Sequence, residues 1–561
     1  MQYSVGVLLV TFLGSLAALG VFLWSMSRGL FGAGETAGRV IFAAKEIGLV
    51  EDPAAGTVAA EDQLQGVMNR TGHTGEFAVL TPEEADERAV LDASSRLPVL
   101  IALGGAVLWL VIASMFGLMA SIKLHAPDWL VEQSWLTFGR LRPAHLNAVA
   151  YGWCSLAGLG IAIWLFPRLL KTPLVGSRTA AAGVILWLCG VTGGIIAILI
   201  GKSAGLEWLE FPWQVDVPLF LGGTLVGVAL LRTLQRRQVP HLYVSVWYIS
   251  AGLLWLPILL IVAKWPGIHF GVQQAAMNWW FGHNVLGLWF TPLGLAAIYY
   301  FLPKVLGKPI HSYHLSLVGF WTLAFFYSQV GGHHLIGGPV PGWLVTLSIV
   351  QSMMMIVPVV AVGINQHRTA HGHLSALRYS PTLRFIVLGG MMYTLASIQG
   401  SMQSLRVVNT TTHFTHFTVA HAHLGLYGFF SLVMFGAMYF VMPRVLDWEW
   451  PYSRLISLHF WLVVGGFAVY FVGLSIGGWL QGMRMLDAAR PFMDSVAVTK
   501  PFLISRTVGG TMMTLGHLTF AAHFVVMLLR RGTRREGAAL LRRPARLDTP
   551  VGVAATSRMN A

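Results

Sequence analysis

Long apolar runs recur along this chain of 561 residues and restrict how it can fold. A helix needs about 20 such residues to cross roughly 30 Å of hydrocarbon. A segment in lipid must also satisfy its own backbone hydrogen bonds, so the runs predict helices. They occupy residues 5–24, 97–122, 144–167, 181–201, 217–232, 242–264, 276–302, 313–332, 343–363, 383–403, 417–442, 455–477 and 503–529. We therefore predict an all-α polytopic membrane protein.

The composition supports a membrane protein and excludes several other classes. Apolar residues make up 55% and charged residues 11% of the chain, whereas soluble proteins are about 25% charged. The net charge of +14 is explained by basic cytoplasmic loops, so we predict no nucleic-acid partner. Cys154 and Cys189 form neither a CxxC nor a CxxCH motif, which leaves no basis for a zinc ribbon or a covalently attached haem.

Charge also divides the chain into segments. Residues 25–96 contain 12 of the 23 acidic residues and separate the first apolar run from the other twelve. We predict a membrane anchor at 1–50, a soluble linker at 51–96, a twelve-helix domain at 97–530 and a disordered basic tail at 531–561.

Lysine and arginine are distributed unevenly between the loops of the twelve-helix domain. Counting helices from residue 97, the loops after even-numbered helices are the more basic, with Arg168, Lys171, Arg178, Arg232, Arg236, Arg237, Lys304, Lys308, Arg368, Arg378, Arg384, Arg444 and Arg454. Loops rich in these residues stay in the cytoplasm. The domain is therefore predicted to start and end inside, and the isolated N-terminal helix to begin outside.

Histidines within the predicted spans are the most informative residues. Ionisable residues are costly in a membrane and usually functional. Six lie in helices 2, 6, 7 and 10, all in the outer third of the bilayer by the predicted orientation: His145, His283, His333, His334, His421 and His423. A single such histidine is more often a packing residue. Six from four helices at one depth predict a metal site, since neutral imidazole binds haem iron and copper.

The spacing of these histidines suggests how they are used. His421 and His423 point roughly 200° apart on a helix, so helix 10 can hold two haems on opposite sides. His145 would complete a six-coordinate haem, and the other haem would keep an open face. The adjacent His333 and His334, with His283, would form a three-nitrogen copper site.

Four motifs surround these histidines: Gly139-Arg140-Leu141-Arg142-Pro143-Ala144-His145, Trp279-Trp280-Phe281-Gly282-His283-Asn284, Gly332-His333-His334-Leu335 and His413-Phe414-Thr415 running to His421-Ala422-His423. They resemble the catalytic subunit (CcoN-like) of the cbb3-type, or C-type, haem–copper oxygen reductases. The resemblance covers residues 97–530. It implies a twelve-helix haem–copper oxidase subunit I bundle, here with one extra N-terminal transmembrane helix, in a bacterial inner membrane.

The resemblance implies both an activity and a role for each ligand. The activity is reduction of O₂ to water with electrons from cytochrome c, delivered by membrane-anchored c-type cytochrome subunits, and with proton uptake from the cytoplasm. His421 would be the axial ligand of a high-spin haem b, and His145 and His423 would hold a low-spin haem b. The copper ligands would be His283, His333 and His334.

A tyrosine beside copper would complete the chemistry, because iron can supply two of the four electrons and copper one. In the family this tyrosine comes from helix 7 and is joined covalently to the copper histidine of helix 6, here His283. Tyr327 is the matching residue. Tyr313 and Ser316 lie on nearly the same stripe of helix 7, nearer the inner face, and with Tyr327 they predict a proton path that matches the family's single channel.

Three further residues are predicted near the outer surface. Arg142 precedes His145 by three residues and can pair with a haem propionate. His413 matches a family position near the propionates of the high-spin haem. Glu210, close to Glu207, resembles the acidic stretch that binds calcium beside the propionates.

Two positions depart from the family pattern. Gln399 stands where the family usually has glutamate, 22 residues before the high-spin haem ligand, and His416 stands where an aspartate is expected. Both changes remove negative charge near the haem, and we expect them to raise its reduction potential or alter proton handling.

The N-terminal segment carries a second resemblance. Residues Phe22 to Phe42 resemble the small single-helix maturation factor (CcoS-like) that accompanies cbb3-type oxidases. This similarity implies a fusion of an assembly factor with the catalytic subunit; a plain membrane anchor is the other interpretation.

Two alternative functions stay open. Nitric oxide reductase, of the same superfamily, has non-haem iron in place of copper and glutamates on helix 6, and it lacks the tyrosine. The segment Asn284 to Phe290 contains no acid and Tyr327 is present, which favours oxygen. A haem-free transporter that relays protons through histidines is the second alternative, and it would be colourless when purified.

Overall fold

The apolar runs form membrane-length helices in the computed structural model, which describes residues 13, 16–17, 20–25, 27–28, 34–42, 47, 82–374, 377, 380–448 and 450–531. Eleven helices in these ranges are long and apolar enough to cross a membrane. Helix Tyr313–Phe326, continued by the 3₁₀ segment Tyr327–Leu335, adds a twelfth crossing. The predicted all-α, twelve-helix fold is confirmed.

We number the helices of this bundle α1 to α12 in chain order. In that order they span Pro82–Lys123, Phe138–Leu170, Ser177–Leu199, Trp213–Gln235, Val244–Lys264, Gly271–Leu306, Tyr313–Phe326 with Tyr327–Leu335, Gly342–Ala370, Pro381–Ser404, His416–Leu446, Ser453–Met485 and Phe492–Leu528. The name "basic end" is used below for the end of the bundle where α2, α4, α6, α8, α10 and α12 finish.

Helix α1 is longer than the sequence predicts, because it begins at Pro82 rather than at residue 97. Proline suits the first helical turn, where its missing N–H loses no hydrogen bond. Glu83 and Glu84 follow in that turn and complement the helix dipole. The predicted span 5–24 lies mostly outside the described residues, and linker residues 51–81 and tail residues 532–561 lie entirely outside them.

Helices α2, α6 and α10 form the centre of the bundle. The share of their most apolar window that is buried is 94%, 89% and 83%, against 33–50% for the other eight helices of this length. Side chains on the central helices therefore face protein on nearly all sides. Polar groups there are costly unless they have hydrogen-bond partners.

Each central helix contains a π-helical segment. These segments are Ala148–Cys154 in α2, Leu286–Phe290 in α6 and Leu424–Ser431 in α10. Each begins three residues after a histidine, in turn His145, His283 and His421. Single-turn π segments are rare and occur frequently at functional sites, so their repetition marks one level of the bundle.

Part of the N-terminal segment packs on α6 and α7 near the basic end. A short helix spans Gly34–Arg39, and the Lys304 ammonium donates to the Ile41 carbonyl at 2.9 Å. The same ammonium lies 5.4 Å from the centre of the Phe42 ring. The described part of this segment is therefore attached to the bundle.

Candidate active site

Three histidines meet where α6 approaches the end of α7. One ring nitrogen from each of His283, His333 and His334 lies within 4.8 Å of the others. The 3₁₀ segment comes so close to α6 that a side chain at Gly331 would overlap the Trp279 backbone. The glycine permits this contact, and the contact brings the two adjacent histidines to His283.

Neighbouring groups fix two of these rings. Ser352 on α8 lies 3.0 Å from His333 Nδ1, and the His334 ring stacks on Trp279 with centroids 4.0 Å apart. His283 Nδ1 is buried and has no hydrogen-bond partner. An orphaned buried nitrogen calls for an unseen partner, and a copper ion held by the three imidazoles would provide it.

A second pair of histidines faces each other between α2 and α10. The rings of His145 and His423 are nearly parallel, 14° apart, with centroids 6.3 Å apart. Their Nδ1 atoms lie 2.8 Å and 2.9 Å from the carbonyls of Ala113 and Val419, which fixes both rings. The Nε2 atom of His145 is left for a metal, whereas that of His423 has the Tyr470 hydroxyl 3.1 Å away. Two imidazoles on opposite sides of one iron, with bonds of about 2 Å, have centroids about 6 Å apart, so the pair fits a haem.

His421 lies on the other side of α10 from His423. Its Nδ1 lies 3.1 Å from Oε1 of Gln399 on α9, which fixes the ring and leaves Nε2 for a metal. His416, the second departure from the family pattern, lines the cavity described next, and its buried Nδ1 has no partner.

One cavity of about 430 Å³ connects all of these groups. A close-packed interior leaves few voids larger than a water molecule, so this volume indicates a ligand site. The cavity touches every histidine predicted as a ligand, together with the predicted tyrosine: His145, His283, His333, His334, His421, His423 and Tyr327.

Tyr327 packs directly against the three-histidine cluster. The centroid of its ring lies 5.3 Å from that of His283. A side chain at Gly287, one turn after His283 on α6, would fall inside the Tyr327 ring. The glycine therefore creates the space in which the phenol reaches the histidine.

Phenols and a serine continue from this tyrosine toward the basic end. Ser316 is fully buried, and its hydroxyl donates to the Tyr313 carbonyl at 2.6 Å. The Tyr313 hydroxyl donates to the Leu242 carbonyl at 2.7 Å. Tyr243, the residue before α5, has its ring centroid 6.2 Å from that of Tyr313. Tyr248 lies in α5, and neither tyrosine was predicted from the sequence.

The outer groups lie around the loop before α4. Arg142 forms an ion pair with Glu207. Asn147 donates to Glu210 Oε2 at 2.8 Å, while Glu210 Oε1 is buried without a partner. Burial raises the pKa of Glu210 to about 7. The hydrogen bond from Asn147 lowers this pKa, but its effect is smaller than that of burial. One oxygen of this carboxylate is thus free to bind a cation, and calcium at Glu210 stays a prediction.

His413 lies farther from the cavity. It is half-buried, and its ring stacks on Phe414 with centroids 3.9 Å apart. Desolvation lowers the pKa of His413, and a hydrogen bond with the backbone of His334 acts in the opposite direction. The residue thus connects the loop before α10 with the three-histidine cluster.

Comparison with known proteins assigns this arrangement to a family. The family model for cytochrome c and quinol oxidase polypeptide I matches residues 98–512. The chain belongs to this family. Among curated relatives, the cbb3-type cytochrome c oxidase subunit CcoN1 of Stutzerimonas stutzeri is 31% identical over 433 residues, covering 74% of this chain and 91% of that protein. Cytochrome c oxidase subunit 1 of Rhodobacter capsulatus is 32% identical over 436 residues, covering 74% and 82%.

Two further matches of this oxidase-family chain are more distant. A nitric oxide reductase subunit from Stutzerimonas stutzeri is 24% identical over 448 residues, covering 73% of this chain and 90% of that protein. A solved haem–copper terminal oxidase dimer superposes with a TM-score of 0.63 at 15% identity, covering 83% of this chain and 89% of that one; it shows the shared fold. Membership of the family implies haem and copper as cofactors, cytochrome c-type partners and a multi-pass membrane location.

Two further residues of this oxidase-family site, Arg506 and Tyr470, were not predicted from the sequence. Arg506 on α12 donates from Nε to the Tyr470 hydroxyl at 3.1 Å, and that hydroxyl lies 3.1 Å from His423 Nε2. A haem iron at this nitrogen requires the Tyr470 ring to turn aside. An arginine within the predicted span 503–529 was the available signal, because charges inside membrane helices are usually functional.

Proposed function

We propose that the chain is the catalytic subunit of a cbb3-type cytochrome c oxidase, which reduces O₂ to water. The observation that carries this proposal is the contact of Tyr327 with a three-histidine cluster, on a cavity shared with His421. No other group of three or more metal-ligating side chains occurs in the described ranges. A metal held by this cluster would share the cavity with a metal held by His421, with the Tyr327 phenol beside it.

The histidines divide into three sets in this proposal. His145 and His423 hold a low-spin haem b, and His421 holds a high-spin haem b. The copper is held by His283, His333 and His334. When bound, the haem iron and copper supply three of the four electrons that O₂ requires. Tyr327, whose ring packs on His283, donates the fourth together with its proton.

Protons reach Tyr327 along α7. Tyr313 and Ser316 relay protons from the basic end, and the rings of Tyr248 and Tyr299 stack beside this path with centroids 5.9 Å apart. Uptake from the cytoplasm conserves energy, because a charge moved against the membrane potential is worth about 2.3 kcal/mol per 100 mV.

The same proposal assigns roles to the residues near the outer surface, to the electron donor and to the two ends of the chain. Arg142 and His413 contact haem propionates, and Glu210 binds calcium beside them. Electrons arrive from cytochrome c through membrane-anchored c-type cytochrome subunits docked at the outer face of a bacterial inner membrane. Residues 1–50 are a maturation-factor-like anchor fused to the catalytic domain at 97–530, and residues 531–561 form a basic cytoplasmic tail.

Consumption of O₂ and of NO by the purified complex tests this function. We expect O₂ to be consumed faster than NO. Tyr327→Phe should lower O₂ consumption roughly 100-fold or more, as expected for loss of a positioned proton donor, with unchanged metal content. Tyr452→Phe, at an exposed loop position, is the control. Faster consumption of NO, unaffected by Tyr327→Phe, would identify a nitric oxide reductase instead.

A further inference from the structure

Part of the N-terminal segment contributes side chains to the core of the bundle. We call residues 20–25 and 34–42 the docked segment; they lie well before residue 98, where the match to the oxidase family begins. Five of its apolar residues pack into the core, three of them buried and two partly buried: Ala37, Ile41 and Phe42, with Phe22 and Val40. A plain membrane anchor would leave such side chains in lipid, so their burial indicates a specific contact.

A buried lysine fixes one end of the docked segment. Lys304, in the last turn of α6, is only 2% exposed. Its ammonium donates to the Ile41 carbonyl at 2.9 Å and lies 5.4 Å from the centre of the Phe42 ring. A buried cation is costly unless polar groups replace the water that it loses, and an aromatic face also attracts it. The docked segment therefore supplies two groups that stabilise this charge inside the protein.

The docked segment also lies along one side of α7. The Phe22 ring packs on the Trp321 ring with centroids 5.1 Å apart. A side chain at Gly34 would meet the His314 ring at 2.6 Å, so the backbone of the short helix lies directly against that ring. His314 and Trp321 are seven residues apart, which is about two helical turns, and they share one stripe of α7. The contact therefore covers the first turns of this helix.

The proposed proton path begins at the same turns of α7. Its residues Tyr313 and Ser316 are both buried. The Trp321 ring, which contacts the docked segment, packs on Phe320 with centroids 5.2 Å apart. The Phe320 ring in turn meets the Tyr248 ring edge to face at 5.1 Å. A continuous series of aromatic rings thus connects the docked segment with the phenols beside the path.

Helix α7 depends on its neighbours for its position. Its α-helical part has 14 residues, Tyr313–Phe326, and leads directly into the 3₁₀ segment Tyr327–Leu335. A helix of this length has little stability of its own and is held mostly by packing. A displacement of its first turns would therefore move the path residues and be transmitted toward Tyr327.

We propose that the docked segment is a permanent part of the working oxidase, in which it holds the inner ends of α6 and α7 and so positions the start of the proton path. The docking surface is formed by Lys304, His314 and Trp321, and the chain's own residues 20–42 occupy it. The effect on proton uptake rests on the proposed function, whereas the docking itself does not. The resemblance to a maturation factor implies a role in assembly; this proposal adds a role after assembly is complete.

Cutting the chain after assembly tests the docking. A protease site is inserted between residues 51 and 81, and the purified oxidase complex is cleaved in detergent. We expect the N-terminal fragment to stay with the bundle during gel filtration. Ile41→Ala combined with Phe42→Ala should release about ten times more fragment or more, because both remove buried side chains. Leu23→Ala, at a docked-segment position that is 54% exposed, is the matched control and should release no more than the wild type.

O₂ consumption then separates a role in the working enzyme from a role confined to assembly. Loss of the fragment from the cleaved double variant should lower the rate roughly threefold or more, because misplaced groups slow a reaction. The haem spectrum and copper content should be unchanged. A synthetic peptide of residues 13–50 with the wild-type sequence, added in excess, should restore the rate.

Release of the fragment from the cleaved wild type would overturn the proposal, as would a full rate after its loss from the double variant. If the double variant does not assemble, retention or release of the wild-type fragment decides alone. A wild-type complex that keeps the fragment but consumes no O₂ would instead refute the proposed function, so the two failures are distinguishable.

Discussion

At the scale of single residues, Gly287 controls whether Tyr327 can reach His283. A methyl group at position 287 would occupy the space of the phenol ring, so Gly287→Ala should expel Tyr327 and lower O₂ consumption roughly 100-fold or more. Haem content, measured by its optical spectrum, should be unchanged. Gly227→Ala on α4 meets no atom within 4 Å and is the control. Full activity in Gly287→Ala would show that the phenol is not needed where it lies.

The hydrogen bond between Gln399 and His421 sets the electron density on the proposed haem ligand. A carboxylate accepts more strongly than an amide, by about 1 kcal/mol. Gln399→Glu should therefore stabilise the oxidised iron and lower the potential of the high-spin haem by roughly 50 mV. A redox titration followed optically measures this shift. An unchanged potential would show that Gln399 does not influence the haem through His421.

Calcium binding at the proposed Glu210 site should be sensitive to pH near neutrality. Burial raises the pKa of its carboxyl to about 7, so a proton competes with the ion as the pH falls. Calcium affinity, measured by calorimetry, should decrease about tenfold from pH 8 to pH 6. Without calcium the native state holds this proton more tightly than the unfolded chain, and stability should fall as the pH rises toward 7. A pH-independent affinity would exclude Glu210 as a ligand.

At the scale of helices, α8 holds the 3₁₀ segment that carries the adjacent histidines. Ser348 donates to the Val330 carbonyl at 2.5 Å, and Ser352 pairs with His333. Ser352→Ala should weaken copper binding roughly 10- to 100-fold, the usual cost of losing a group that orients a metal ligand. Copper content after dialysis against a chelator measures this. Thr322→Ala, which removes a hydroxyl bonded within its own helix, is the control; equal copper loss in both variants would contradict the role of Ser352.

The apolar runs predict each helix of the domain, but not the irregular turns within them. The run at 276–302 predicts one continuous helix, whereas α6 changes to a π segment at Leu286. Period and hydropathy are nearly the same for both geometries, so the sequence carries no local signal for the change. Pro82 and the glutamates after it are typical of a helix start. The acidic composition of residues 25–96 nevertheless predicts a soluble linker there.

In the molecule as a whole, a histidine site can be predicted from the sequence only where its histidines lie close together along the chain. His333 and His334, or His421 and His423, stand together and predict a site. His459, His517 and His523 are scattered over two helices, and each alone has the pattern of a packing residue. Their burial within the bundle depends on α10, α11 and α12 packing together, which hydropathy does not specify.

One chain of this oxidase is proposed to hold two haems and one copper within a single bundle. Metal analysis of the purified complex, corrected for the c-type haems of its partner subunits, tests it most directly. We expect two non-covalent haem irons and one copper per chain, with an optical spectrum of one low-spin and one high-spin haem. Non-haem iron in place of copper, or a chain without haem, would contradict it.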